Sequence, residues 1–562
     1  MSETNLSYVS GASQAPLLYQ TIDQALCFAA RVTPANEALV SVHQNIRLTY
    51  AELNVRVNAI ASGLMAIGIE PGERVGIWAT NCAEWMITQY ATARAGFILV
   101  NINPAYRIAE VEYALNKVDC AAIILERQFK TSHYLDILKQ LSPNLFAGGK
   151  DETRTPSLRH AILIDDGKDS GGLLLFSELA TVGTPKSDQN LIDIAPTLQP
   201  EDPINIQFTS GTTGAPKGAT LTHHNILNNG FFVGRGIKLT NQDRICVPVP
   251  LYHCFGMVMG NLAALTHGAT IIYPSAGFDP KETLRVIEDE KCTALYGVPT
   301  MFIAMLALDE MNTTNFSSLR TGIMAGSPCP VEVMKRVVSD MQMPDVTIAY
   351  GMTETSPVSF QSGVHTSLEK RVSTVGTVLP HLEAKIINED GRVVARGVQG
   401  ELCTRGYSVM QGYWGDDDAT FASIDRRKWM HTGDLAVIDD EGYANITGRA
   451  KEVIIRGGEN IYPKEIEDHF MRHSAVQDVQ VFGVPDNKFG EVSCAWLILK
   501  PGEKASVEDI STWLRAQISH YKIPKCVKAV DEFPMTVTGK AQKFLMRKSM
   551  MKELGLKEIK TA

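Results

Sequence analysis

The stretch Pro203-Ile-Asn-Ile-Gln-Phe-Thr209-Ser-Gly-Thr-Thr-Gly-Ala-Pro-Lys217-Gly218 decides how the chain is read. Its first half contains a short apolar run, Ile204–Phe208, bounded by Pro203 and by small polar residues, which predicts a strand. Its second half gathers Thr209, Ser210, Gly211, Thr212, Thr213, Gly214, Ala215, Pro216 and Lys217 into a loop of small hydroxyls, glycines and one lysine. Such a loop is rich in backbone N–H donors and can wrap the polyphosphate of a nucleotide. It is not a Walker A loop, because the pattern Gly-x-x-x-x-Gly-Lys-Ser/Thr is absent. Standing alone, it is also an acceptable Gly/Thr-rich surface turn.

Strand and helix signals alternate outward from this stretch. Strands are expected at Val75–Ala79, Phe97–Ile102, Ala161–Ile164, Thr270–Tyr273, Ala294–Gly297, Thr321–Met324 and Thr347–Tyr350. Thr49 and Glu52 form a capping-box pattern ahead of Leu53, Val57, Ile60 and Leu64 at helical spacing, and Asn81 with Glu84 signals a second helix start. The alternation predicts an α/β fold with largely parallel sheets, whose ligands sit beyond the carboxyl ends of the strands. The loops after Phe208, Met324 and Tyr350 are therefore placed to share a site. From about Ala436 the texture changes to short strands, charged turns and two helices, Pro463–His473 and Val507–Ile518. A boundary at Arg449–Lys451 gives a large multi-subdomain N-terminal domain, residues 1–450, and a small α+β C-terminal domain, residues 451–562.

The 562 residues are 44% hydrophobic and 20% charged, an ordinary globular composition with length for a large core. A net charge of −9 argues against a dedicated nucleic-acid binder. Ten cysteines lie scattered without a Cys-x-x-Cys pair, which reads as reduced thiols in a cytoplasmic protein. The first basic residue is Arg31, so neither a secretory signal nor a transit peptide is expected. No apolar run approaches the roughly 20 residues that span a bilayer, leaving transient membrane contact as the most that is expected.

Further chemistry-bearing stretches follow. Tyr350-Gly-Met-Thr-Glu-Thr355 offers an aromatic ring for a base, a threonine for a phosphate and a glutamate for Mg²⁺. Asp434, in Trp429-Met-His-Thr-Gly-Asp434, is a carboxylate able to accept two vicinal hydroxyls of a ribose. Gly448-Arg449-Ala-Lys451-Glu452 sets a cation at the domain boundary, and Thr538-Gly539-Lys540 sets a lysine on a loop. Each is weak alone and reads equally as a turn or a solvated side chain.

In this order the motifs resemble the acyl-adenylate-forming superfamily, which includes acyl-CoA synthetases, luciferase-like enzymes and peptide-synthetase adenylation domains. The resemblance extends from Thr49 to Lys543 and includes Pro250-Leu-Tyr-His253, Ala325-Gly-Ser-Pro328, Gly400-Glu-Leu-Cys-Thr-Arg-Gly406 and Arg456-Gly-Gly-Glu-Asn-Ile-Tyr-Pro463. The wording of several motifs is most similar to medium-chain acyl-CoA synthetases of the family-member-2 type. One departure is Met430, where an aromatic commonly stands.

The resemblance implies that Thr209–Lys217 hold the phosphates of ATP and that Tyr350 stacks on adenine in a slot lined by Gly326 and Ser327. It implies Thr353 on the α-phosphate, Glu354 on Mg²⁺, Asp434 and Arg449 on the ribose, and Lys540 as the catalytic lysine. It further implies a small domain that swings about Lys451 between half-reactions, bringing Gly457, Gly458 and Glu459 to coenzyme A. His253 would stand at the mouth of an acyl pocket walled by Met257, Val298 and Met352, residues equally at home in any core. The expected reaction makes acyl-AMP from ATP and a fatty acid, then passes the acyl group to coenzyme A. The rivals are a long-chain or aryl-acid ligase, a carrier-protein-loading enzyme and, from another class, an inactive nucleotide-binding scaffold.

Overall fold

The computed structural model describes residues 5–147, 154–165, 170–209, 216–327, 329–449, 452–456, 459–486, 489–503, 505–515, 517–518, 522–536 and 540–556. Two compact units emerge from the packing: a larger one of residues 9–384 and 404–430, and a smaller one of residues 1–8, 385–403 and 431–562.

The larger unit holds two big sheets. One runs in the order Leu174–Leu175, His160–Leu163, Cys120–Leu125, Arg74–Trp78, Ile98–Asn101, Pro203–Thr209, Lys217–Thr222, Gly412–Tyr413. It is parallel as far as Pro203–Thr209 and antiparallel beyond. The other has nine strands, with Asp345–Gly351, Thr321–Ala325, Ala294–Gly297, Arg244–Cys246, Thr270–Tyr273 and Glu37–Ser41 parallel at its centre. The central strands are buried apolar runs such as Cys120–Leu125 and Thr270–Tyr273, the pattern of a sheet covered on both faces. The fold is thus α/β with parallel sheet cores.

Helix Tyr50–Ala66 begins with the expected box: Glu52 N–H donates to Thr49 Oγ1 at 3.2 Å, and Thr49 N–H to Glu52 Oε2 at 2.8 Å. The second start differs from expectation. Helix Ala83–Ala95 is preceded by Cys82 with no side-chain cap, because Asn81 is engaged elsewhere. Its amide donates to Val249 O at 3.0 Å and accepts from Leu251 N–H at 2.9 Å.

Thr209 and Lys217, on either side of the hydroxyl-rich loop, are register partners of an antiparallel pair. The run Lys217–Thr222, which supplied no strand signal, is buried from Gly218 to Thr222 and pairs on both edges, with Pro203–Thr209 and with Gly412–Tyr413.

A five-stranded sheet runs Tyr8–Ser10, Leu382–Ile387, Gly400–Gly406, Met430–Ile438, Ala444–Arg449. The smaller unit's other sheet pairs Val476–Asp486 with Gly490–Leu499 over a long antiparallel register. Helices Pro463–Phe470 and Val507–Arg515 pack there around Ile466, Phe470, Val481, Leu497 and Leu514, an α+β arrangement. The first of these helices ends three residues before expectation, because Arg472 and His473 close tight turns onto His469 and Phe470.

Candidate active site

In the larger unit the ends of the two big sheets meet through side chains. Glu354 sits on a single helical turn, Thr353–Thr355, just past strand Asp345–Gly351, and is 6% exposed. Its Oε1 accepts from Thr209 Oγ1 at 3.2 Å and from the Tyr413 hydroxyl at 2.9 Å. Its Oε2 makes no hydrogen bond among the described residues. The turn is held from behind, where Met410 N–H donates to the Glu354 carbonyl at 2.9 Å. Lys217 extends over the Tyr413 ring, Nζ 5.0 Å from its centroid. Burial and the Glu354 carboxylate push the Tyr413 phenol far above its ordinary range, so it remains a donor. Tyr413 had no signal in the sequence beyond a lone aromatic after Gly412; its role comes from pairing of Gly412–Tyr413 with Lys217–Thr222.

Pro216 holds the far end of the hairpin, its carbonyl accepting the Tyr113 hydroxyl at 2.9 Å. Ser210, Gly211, Thr212, Thr213, Gly214 and Ala215 lie outside the described residues. Tyr350 ends strand Asp345–Gly351 half-buried, its ring edge-on to Phe360 with centroids 6.3 Å apart. Gly326 is exposed with φ of +93°, a conformation that favours glycine, and a Cβ there would stand 3.1 Å from Val298 Cγ1. Ser327 beside it and Thr353 are half-buried.

His253 is half-buried, its ring centroid 4.1 Å from that of Tyr252. Its carbonyl starts the next helix by accepting from Gly256 and Met257 N–H at 3.0 and 3.1 Å. That helix, Phe255–Leu262, is a π-helix, a wide form that recurs at functional sites. Met257 points back from it onto a buried amide ladder: its Sδ accepts from Asn101 and Gln207 at 3.2 and 3.0 Å. Of the other candidate pocket walls, Val298 is 8% exposed and Met352 half-buried. Met430 is buried, filling the position as packing.

In the smaller unit Asp434 and Arg449 are register partners on adjacent antiparallel strands. Arg449 Nε lies 3.0 Å from Asp434 Oδ1, and Asp434 is 7% exposed. Lys540 is exposed at the end of a turn in which its N–H donates to Thr536 Oγ1 at 3.0 Å and Thr536 N–H donates to its carbonyl at 2.7 Å. Lys451, Gly457 and Gly458 lie outside the described residues; Arg456 and Glu459 flank the two glycines as register partners.

Each unit thus presents its own polar set: Glu354 with Thr209 and Tyr413 in the larger, and the Asp434–Arg449 pair in the smaller. The chain belongs to the AMP-binding enzyme family, matching it over residues 28–414 and matching the AMP-binding enzyme C-terminal domain over residues 465–540. It is 46% identical over 556 residues to medium-chain acyl-CoA ligase ACSF2, mitochondrial, of Danio rerio, covering 98% of this chain and 91% of that protein. It is 46% identical over 547 residues to the putative acyl-CoA synthetase YngI of Bacillus subtilis (strain 168), covering 96% of this chain and 99% of that one. Among solved structures, ATP-bound MatB from Rhodopseudomonas palustris aligns with a TM-score of 0.80 at 26% identity, covering 95% of this chain and 99% of that one.

Proposed function

We propose that this chain is an ATP-dependent, AMP-forming ligase that joins a medium-chain fatty acid to coenzyme A. The observation that carries the reading is Glu354. Its buried carboxylate has one oxygen that accepts from two hydroxyls and another that makes no hydrogen bond among the described residues, beside the start of the hydroxyl-rich loop. An all-oxygen donor set suits a hard cation. The residues fit Mg²⁺: Glu354 would hold it, and the ion would supply positive charge against the phosphate oxygens.

The residues divide the remaining work. A carboxylate is a poor acyl donor because its leaving group is oxide, so the acid attacks the α-phosphorus of ATP and pyrophosphate leaves. Both reactants are anions. Lys217 and the loop 209–217 neutralise the phosphates, Thr353 contacts the α-phosphate, and Lys540 bridges acid and α-phosphate as the bond forms. Tyr350, braced by Phe360, stacks on adenine in a slot lined by Gly326 and Ser327. Asp434 accepts the ribose hydroxyls, with Arg449 beside it. In the second step the thiol of coenzyme A attacks the acyl carbonyl and AMP leaves. Gly457 and Gly458 leave room for the pantetheine arm, and rotation at Lys451 exchanges them for Lys540, which makes residues 451–562 the moving domain. His253 stands between acyl pocket and thiol path.

The acyl preference is supported by the ACSF2 relatives and by the apolar Met257 and Val298. The compartment we propose is the cytoplasm, from ten free cysteines spread over the chain; no helix among the described residues is long and apolar enough to cross a membrane. The test is kcat/KM for acids from acetate to palmitate, with benzoate and a cinnamate. Each methylene should add about 0.8 kcal/mol, roughly fourfold, until the pocket ends. We expect a peak at medium length. A peak at acetate or an aryl acid would overturn the fatty-acid assignment, and a steady rise to palmitate would overturn the medium-chain one.

A further inference from the structure

We propose that Glu401 is a positioning residue for ATP: its carboxylate fixes the strand segment His431–Gly433 and thereby aims Asp434. The inference rests on the ribose reading of Asp434 and deepens it. Asp434 lies in strand Met430–Ile438, just after Gly433, whose φ is +69°. No atom lies within 4 Å of a Cβ on Gly433, so the backbone conformation and not crowding demands glycine. Each of His431, Thr432 and Gly433 at this irregular point is also held by the neighbouring strand Gly400–Gly406. Glu401 Oε2 takes the His431 ring at Nδ1, 3.0 Å away, and Oε1 accepts Gly433 N–H at 3.2 Å. Thr432 Oγ1 donates to Leu402 O at 2.7 Å and accepts Asp434 N–H at 3.1 Å.

One carboxylate thus bridges two residues of this strand segment, and the residue after it holds the third. The contact is charge-assisted: Cys403 and Glu401 raise His431 to about 10, so the ring is a cation at neutral pH. Burial pushes the Glu401 carboxyl up, but His431 and the Gly433 N–H more than offset it and hold it below the usual range. Cys403 lies 3.6 Å from the same ring nitrogen, and the sulfur, imidazole and carboxylate atoms all fall within 4.8 Å of one another, spacing that also suits a zinc ion. The Glu401 carboxylate bonds to His431 and Gly433, so its effect on nucleotide passes through the strand backbone that leads to Asp434.

Acid-dependent pyrophosphate release by the full chain, measured against ATP concentration, tests this. Glu401→Gln should raise KM for ATP about tenfold, the worth of one charge-assisted hydrogen bond. It should leave kcat at saturating ATP within about twofold, since an interaction made equally in ground and transition state moves KM alone. Glu401→Asp should recover part of the loss. Unchanged KM, or a fall in kcat with KM unchanged, overturns the inference. Should Glu401→Gln not fold, His431→Asn keeps a donor without the charge; a smaller rise in KM supports the proposal and none overturns it. Asp434→Asn separates the two readings. If it leaves KM for ATP unchanged, the ribose assignment fails; if it raises KM while Glu401→Gln does not, only the positioning role fails. Stoichiometric zinc binding to the wild type, lost in Glu401→Gln with KM unaltered, would assign the three donors to a metal and also overturn it.

Discussion

His223 illustrates how one side chain can couple packing to pH. Its Nδ1 accepts Ile22 N–H at 3.1 Å, tying the start of helix Ile22–Val32 to the start of helix His223–Gly236. A protonated ring has no acceptor there, and burial lowers the pKa to about 3. Below the ordinary value near 6.5 the unfolded chain binds a proton that the folded chain refuses. Stability from this group is therefore complete above about 6.5 and lost as pH falls, by up to about 1.4 kcal/mol per unit until the folded value is reached. Urea unfolding at pH 7.5, 6 and 5 should show that slope, and His223→Gln should flatten it by the same amount. An identical slope in the variant would contradict the assignment. Residues of this kind were not legible in the sequence. Lys217, Glu354 and Asp434 stood out because each sits in a motif, whereas Tyr413 and Glu401 act on residues 59 and 30 positions away, across strands. Asn81 was misread as a cap because a helix follows it; its real partners lie 168 and 170 positions on.

At the scale of elements, the strands that were legible are those whose burial is uniform. Thr270–Tyr273 and Ala294–Gly297 have the predicted bounds because every residue is buried and apolar or β-branched. The strand Cys120–Leu125 is equally buried but opens on Cys-Ala-Ala, which carries no β signal. Phe255–Leu262 could not be recognised as a π-helix, since a run of apolar residues and glycines fixes burial without fixing a period. The helix Lys543–Glu553 carries a further prediction. Lys543 Nζ lies 2.7 Å from Glu467 Oε1 and 3.3 Å from Glu452 Oε2. It therefore ties the helix after Lys540 both to helix Pro463–Phe470 and to the segment after Lys451. Glu467 is the better buried partner and also accepts Val481 N–H at 2.8 Å. Lys543→Met should destabilise the smaller unit by about 1–3 kcal/mol, because Glu467 loses a charged hydrogen bond, with the screening of a partly exposed pair holding the loss to that range. Urea unfolding followed by Trp513 and Trp496 fluorescence would measure it. A loss near zero would mean that water replaces the lysine.

For the whole molecule, the candidate residues are divided between the two units. The larger unit carries Lys217 and Glu354; the smaller carries Asp434, Arg449 and Lys540. Two chemically unlike half-reactions require different side chains at successive steps. The acid must meet ATP with a cation between them, whereas the thiol must meet a neutral acyl carbonyl along an open path. In the proposed mechanism Lys540, exposed and with its N–H donated to Thr536 Oγ1, serves the first need and not the second. The most direct test measures the half-reactions separately in Lys540→Ala. Acid-dependent exchange of labelled pyrophosphate into ATP should fall about 10²–10³-fold, the usual loss for one preorganised electrostatic contact. Thioester formation from supplied acyl-adenylate and coenzyme A should stay close to wild type. Equal loss in both half-reactions, or undiminished pyrophosphate exchange, would contradict an acyl-adenylate mechanism in which Lys540 acts in the first step alone.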